Sequence, residues 1–513
     1  MTTLYVGGDL NYRTIGAAVT AAIEGDVVEV GEGTYYEALV LATPGVSVVA
    51  AEGASVVIDG RYSPALFGDG NFAMSNGRKC GAGQLPSLAA DNARRGLWVY
   101  TGGILNINGY SSLVRLAADR TAIVGVTLRN APGRFVVIEG NDCAVEDCRM
   151  DFCYGGAINI AAGSERATLR GVTVTRSSVK KFDTGAPGAG PDAVATTIIC
   201  GGSDVLIEGC TICYNYGEGI SADKGSIRPR IIGNVIHTNY HWSLGFNYTE
   251  GAILVGNVVY WCDNLVDAMG KSGPADGFVG GSERASAENP REAYSPNIEI
   301  RSNLFVGYLK RPWLLGGGNR PVQFVNSLVA VNTIVGRATS GKPGMTFTWT
   351  ALKGAFHEGT TVGRNVILWE PDALGISYQH GGRVAWLDNL YSAQPPSGMR
   401  SDGDIVTREP VLVNPFVPIL GQYDAYALDM PDVATTFDID NYRPIAGGAA
   451  VGRGALGVVE LPDEPEPPEE PGPDYAAIIA ALEGNLTYLE AAGMAVGAAV
   501  VETHALIERL GKG

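Results

Sequence analysis

The side chains of this sequence that could do chemistry gather between residues 177 and 296. Two connecting stretches there are long: 177–195, with Lys180, Lys181, Asp183 and Asp192, and 268–296, with Lys271, Asp276, Glu283, Arg284 and Arg291. Long connections on a rigid scaffold are usual places for function. Around and between them lie Glu218, Asp223, Lys224, His237, His241, Asp263 and Asp267. Removing the proton α to a uronate carboxyl group needs a base, commonly Lys or Arg, and a cation to hold the anion that forms. Lys224 or Lys271 answers the first need. Asp223, Asp263 and Asp267 answer the second as carboxylate ligands for Ca²⁺, the one cofactor the sequence suggests. Glycoside hydrolysis instead needs two carboxylates about 5–9 Å apart, and Glu218 with Asp263 is the candidate pair. Tyr216, Tyr240, His241, Trp242, Tyr248 and Trp261 crowd the same stretch and offer ring faces on which sugars stack. Each set also has a plain alternative: adjacent charged segments are ordinarily solvated faces, and some of these rings must belong to a core.

The scaffold that must position these groups is a repeat. Asn234, Asn257, Asn303, Asn332, Asn365 and Asn389 each stand between two short apolar segments, and Cys210, Val172, Cys148 and Val126 fill the same slot upstream. The ten copies are mostly 22–24 residues apart, with one interval of 46 that holds either an extra turn or a long loop. Such a period, with β-branched triplets and Gly or Asn corners, is what a parallel β-solenoid needs, each coil stacking about 4.8 Å from the next. Leucine-rich repeats have a similar period, but their LxxLxLxxN phrase is missing. Six asparagines at one offset predict a ladder, because a stacked amide can donate to one neighbour and accept from the other. Cys148 and Cys210 fall two coils apart, too far for a disulfide, and read as small apolar fillers. Counting from the ladder predicts one column of Lys224, Tyr248 and Lys271 and another of Cys213, His237 and Tyr260.

Composition narrows the partners. A net charge of −17 argues against a protein that tracks nucleic-acid phosphates. No stretch approaches about 18 uninterrupted apolar residues, and residues 1–25 lack the pattern of an export signal. The eight cysteines form no zinc-binding spacing. Residues 12–24 place Ile15, Val19, Ala22 and Ile23 on one helical face, which would cover the open end of a solenoid. Tyr12 to Val19, Gly25 to Val30, Gly33 to Tyr35 and Val57 to Gly60 resemble the opening of pectate lyase-like right-handed parallel β-helix proteins. Tyr442 to Pro444 and Gly447 to Gly452 resemble that family's closing segment. The resemblance spans about residues 5–455 and implies an all-β chain: a right-handed parallel β-helix with an N-terminal capping helix. It implies no one activity, since the family includes lyases, hydrolases, epimerases and non-catalytic viral fibres. The polygalacturonase signatures, paired aspartates followed by Gly-His-Gly and Arg-x-Lys, are absent, so no catalytic role carries over.

The expected organisation is a cap and first coils over 1–60, an irregular insertion with early coils over 61–118, the solenoid core over 119–395, and terminal coils with a cap over 396–459. Residues 460–474 hold seven acids and six prolines with no base, a semi-rigid spacer. Residues 475–513 read as one helix, with Ile479, Leu482, Leu486, Leu489, Val496, Val500, Ile507 and Leu510 on the seam of a seven-residue frame. Gly493 and Gly497 interrupt it. Self-association, docking onto a different protein and folding back on the solenoid compete as its use. A capped solenoid on a stiff spacer with a terminal coil is similar in kind to bacteriophage tailspikes and tail fibres. The leading expectation is therefore a virion-mounted adhesion protein, made in the host cytoplasm, that presents its solenoid to a host surface glycan. Polysaccharide lysis or hydrolysis and a bacterial shell-associated role stand as rivals. If the seam self-associates, light scattering should give a trimer for the full chain and a monomer for a chain ending at residue 459; monomers in both cases reject self-association.

Overall fold

Each turn of the chain is three short strands joined by three corners, and at the first corner one conformation repeats on every turn from Ala122 to Tyr391. Ten times a residue with φ between 48° and 71° is followed by a buried residue and the next strand: Gly125, Asp147, Gly171, Gly209, Gly233, Gly256, Ser302, Val331, Arg364 and Asp388. Half are glycine, which takes the left-handed region without a Cβ penalty. Val331 is the costliest occupant, because a β-branched residue is rarely found there. The computed structural model describes residues 2–456 except 9, 10, 61–98, 102, 103, 107–111, 180–194, 224, 266–274, 282–293, 308, 317–321, 340, 341, 344, 351–356, 372, 380–382, 424–429 and 432. The spacer and the heptad segment lie outside the described residues.

Stacking the turns gives three parallel sheets. The first sheet runs in 13 strands from Thr3–Val6 to Val384–Leu387, the second in 13 from Gly33–Tyr35 to Ile405–Val406, and the third in 11 from Leu39–Leu41 to Leu374–Gln379. The architecture is an all-β parallel solenoid. Inward side chains such as Ile123, Val145, Leu169, Ile207, Ile231 and Leu254 stack as a dry core column. On the later turns aromatics take over, with Phe278 on Trp313 at 4.3 Å and Trp313 on Phe347 at 5.5 Å.

At the first corner the asparagines form a continuous hydrogen-bonded file. Asn303 shows the unit: Oδ1 accepts from both the backbone N–H and Nδ2 of Asn257 at 2.9 Å, while Nδ2 donates to the Leu254 carbonyl at 2.8 Å and to Asn332 Oδ1 at 3.0 Å. Donors point toward the C-terminal end, where the Asn389 backbone N–H donates to the carboxylate of Asp404 at 2.9 Å. Asp404 stands in the slot of a seventh asparagine, and its negative charge complements the donor end of the file. The upstream cysteines are more than fillers. Cys210 and Cys148 thiols approach the Leu169 and Ile123 carbonyls at 3.8 and 3.6 Å, the acceptor position that the asparagines use. Burial pushes these thiols up, to about 11 for Cys210 and about 12 for Cys148, so they remain protonated donors.

Several expectations change. The interval of 46 residues is a single coil, because Asn257 bonds Asn303 directly and Ile253–Val255 pairs with Glu299–Arg301. The capping helix is short, Ile15–Ala21, with Ile15, Ala18 and Val19 buried and its first N–H groups held by Thr14 and by Glu37. Ile23 lies past its end and is exposed. Within 61–118, Ser112–Leu116 is an early coil strand that completes the third sheet between Leu39–Leu41 and Arg134–Ile138, while 61–98 lie outside the described residues. After Ile405–Val406, the described residues of 411–455 run back along the outer face of the second sheet. Val411, Leu412, Ile419 and Tyr442 there pack on Tyr260, Leu304, Val306, Val335 and Leu368. This strap is hydrogen-bonded to the coils at both ends, Ala455 N donating to Thr333 Oγ1 at 2.9 Å and Asn264 Nδ2 to the Gly421 carbonyl at 2.8 Å.

The Cys213, His237 and Tyr260 column is formed and lies beneath the strap, with His237 stacked on Tyr260 at 4.6 Å. Burial pulls His237 down to about 3 from its ordinary 6.5. The unfolded chain therefore takes up a proton well before the folded one, and the associated stability is complete above about 6.5 and lost as pH falls toward 3. His237→Phe is expected to remove about 2 kcal/mol of the stability loss at pH 5, read from urea midpoints at pH 7 and 5. Asn303→Ala leaves the Leu254 carbonyl and the Asn257 N–H buried without their partner; a loss of about 3 kcal/mol is expected in urea unfolding.

Candidate functional site

The first corner is two residues long on every turn from Ala122 to Tyr391, so enlarged connections can leave only from the other two. The stretches between Asp59 and Ser112, Thr175 and Thr196, and Trp261 and Asp276 all join the second sheet to the third, and that between Gly281 and Glu299 joins the third to the first. The third sheet is thus the one flanked by long connections on both sides. The residues that open its strands form one column in register: Ser112, Arg134, then Thr196 with Glu218, then Trp242, Asp276 and Arg311.

Chemistry concentrates in the middle of this leading column. Glu218 Oε2 accepts from Thr196 Oγ1 at 2.6 Å, and Oε1 lies 2.8 Å from His241 Nδ1. A carboxylate only accepts, so Nδ1 carries the proton and Nε2 is left as the basic nitrogen. Glu218 is mostly buried and His241 is 39 % exposed, which puts that nitrogen within reach of solvent or a ligand. Beside them the Trp242 indole N–H and the Ser243 hydroxyl are buried without a hydrogen-bond partner. Two strands beyond Glu218, Asp276 grips Arg311 through two bonds of 2.8 and 2.5 Å. Burial pulls the Arg311 guanidinium down, and the bonds and charge of Asp276 outweigh it.

The expected site residues divide around this column. Glu218, His241 and Trp242 meet in it. Tyr240 is half-buried next to them. Tyr216 and Trp261 are fully buried and Trp242 nearly so, which leaves no open ring face for a sugar; Tyr216 instead shares a hydrogen bond with Tyr423 of the strap. Tyr248 follows Asn247 at the far end of its strand, on the opposite edge of the sheet. Asp263 is not Glu218's partner. It lies in the 3-10 turn Asp263–Leu265 under the strap, its N–H on the Ile419 carbonyl and its carboxylate on Arg337 at 2.6 Å. Burial raises its carboxyl, and Arg337 pulls the other way.

The proposed Ca²⁺ set is also separated, since Asp223 ends Glu218–Asp223 while Asp263 precedes Asp276–Gly281, two third-sheet strands further on. Asp267, Lys224 and Lys271 lie outside the described residues. The column counted through Lys271 fails all the same: Asn247 pairs with Gly281, so the extra residues enter before the third-sheet strand and shift the count. Among the described residues no group of three or more His, Cys, Asp and Glu could hold a metal, and no helix is long and apolar enough to cross a membrane.

Arg311, Asp276, Thr196, Arg134 and Ser112 went unread as a set. A signal existed: Glu218, Trp242, Asp276 and Arg311 each stand two residues before an inward Ile220, Leu244, Phe278 or Trp313. A second short ladder was missed too, Asn215 donating to Asn239 Oδ1 at 2.9 Å, although both lie five residues past the first slot.

Residues 103–275 match the family model described as right handed beta helix region. The match is to the coil. Among solved structures, the surface adhesin PfbA of Streptococcus pneumoniae is 12% identical with a TM-score of 0.45, over 76% of this chain and 91% of the adhesin. Pectate lyase Pel9A is 12% identical with a TM-score of 0.44, over 89% and 96%. A rhamnogalacturonan lyase is 13% identical with a TM-score of 0.45, over 76% and 87%. No curated protein matches the chain.

Proposed function

We propose that this protein binds a polysaccharide along the leading column of its third sheet, and that the Glu218–His241 pair is the centre of that site. The observation that carries the reading is that pair: a buried carboxylate orients a half-exposed imidazole next to a buried indole N–H with no partner. Buried donors without partners are few in folded proteins, and a polyhydroxy ligand supplies acceptors for them. The fuller form of the reading is a virion-mounted adhesion protein contacting a host surface glycan. It is supported by the acidic spacer and the heptad seam of the sequence, which would anchor or trimerise the solenoid.

A second reading, cleavage of the bound chain, is favoured by the same geometry, because an imidazole fixed by a carboxylate is a general acid–base device. Lysis through Lys224 or Lys271 and hydrolysis through Glu218 both belong to it. One experiment separates the two. Purified wild type, Glu218→Gln and His241→Ala are incubated with a panel of bacterial surface polysaccharides, scored for retention and for new reducing ends. Retention without new ends, weakened about tenfold or more in both variants, supports binding alone. New ends that vanish in the variants support cleavage, and a panel retained equally by all three proteins overturns the site.

A further inference from the structure

Among the described residues, several guanidinium groups wholly or partly withdrawn from solvent are paired with carboxylates. Arg176, fully buried, holds Asp151 through two bonds of 2.9 and 2.5 Å. Arg129 is on Asp59, Arg311 on Asp276 and Arg337 on Asp263. Arg134, which opens Arg134–Ile138, differs from these pairs. Its guanidinium is largely buried, and its one hydrogen bond is a 3.5 Å approach from Nη1 to the Gly156 carbonyl. Among the described residues no carboxylate reaches it. Burial pulls its pKa below the ordinary arginine value, yet a guanidinium does not give up its proton in a protein. A buried cation without a counter-charge is costly, and the described residues supply none.

The neighbouring strands add two observations. Ser112 is in register with Arg134, so the two side chains project from the same face. Its hydroxyl is buried with no hydrogen-bond partner. On the other side, a Cβ at Gly156 would lie 2.9 Å from Arg134 Nη1, so the missing side chain is what gives the guanidinium room. Two adjacent strands therefore present an unpaired planar cation and an unpaired hydroxyl, beside a third that presents no side chain. That donor set suits a planar carboxylate, which guanidinium binds in a matching fork. Thr196 separates Gly156 from Glu218 in the same column, so the centre lies three strand spacings, about 14 Å, from the Glu218–His241 pair.

We propose that Ser112 and Arg134, with Gly156 beside them, form a subsite for the carboxylate of an acidic saccharide lying along the leading column. The saccharide part rests on the function proposed above; the recognition of a carboxylate rests on this geometry alone. The full-length protein, Arg134→Gln and Ser112→Ala are compared by calorimetry with a hyaluronan hexasaccharide and with the same hexasaccharide after its carboxyl groups are reduced to alcohols. Wild type should prefer the acidic form, and Arg134→Gln should lose that preference, a fall of about 10- to 100-fold for the acidic form with the reduced form unchanged. Ser112→Ala should show a smaller loss of the same kind. Equal binding of both forms by wild type, or a preference kept in Arg134→Gln, overturns the subsite.

A second arm uses free glucuronate against glucose at equal concentration, read as the shift in urea midpoint. If neither hexasaccharide binds but glucuronate protects wild type and not Arg134→Gln, the polysaccharide reading fails while the carboxylate site stands. If glucuronate protects neither protein and neither hexasaccharide binds, both fail. Without ligand, Arg134→Gln should be as stable as wild type or more so, because it relieves an unpaired buried charge. A lower midpoint would assign Arg134 to holding the fold and overturn the proposal.

Discussion

The in-register bond between one coil and the next at the first corner is the constraint on which everything else here depends. A left-handed residue turns the chain there, and the following side chain must point inward where backbone groups have no strand partner. An amide satisfies both needs, since it donates and accepts along the stacking axis at once. Where the file begins, thiols make the donor contact at longer range; where it ends, Asp404 accepts from the last backbone N–H. The file admits no insertion without breaking its register. Length variation is therefore expelled to the other two corners, and the third sheet between them becomes the face that can be elaborated.

That division explains why the chemistry collects where it does. The leading position of each third-sheet strand lies next to an enlargeable corner, so its side chain is freed from the inward packing that dictates Ile220, Leu244, Phe278 and Trp313 two residues later. Rigid stacking then sets the spacing: Thr196, Glu218, Trp242, Asp276 and Arg311 follow one another at the strand interval. A linear polymer is matched by a linear row of fixed groups, with little ordering of loops needed at the moment of binding.

The second sheet is treated differently. Its outer face is apolar on the later turns, through Val258, Tyr260, Leu304, Val306 and Val366, and the returning strap covers it. On the earlier turns the same face is polar, with Asp59, Arg129 and Asp151 paired in hydrogen bonds and ion pairs. The change falls near Tyr214, where Tyr423 of the strap packs at 5.0 Å. A single strand column thus changes chemistry where its cover ends, so the strap is part of the fold rather than an appendage to it.

The parallel solenoid, its six-asparagine file and its N-terminal cap were legible from residue spacing alone, because one-dimensional stacking turns a sequence offset directly into a neighbour in space. The same offset rule reached Cys213, His237 and Tyr260, which lie between two first-corner slots with no insertion intervening. It failed for Lys271, which falls in the enlarged connection between Trp261 and Asp276, on a side of the strand that the sequence does not mark. Burial was the other blind spot: Tyr216 and Trp261 look like sugar platforms until the strap and the core close over them, and Asp263 looks like a catalytic carboxylate until Arg337, 74 residues away, claims it. Periodicity specifies which residues share a column. Which columns are open, and which charges are left without a partner, depends on contacts between segments far apart in the chain, and only the tertiary structure decided those.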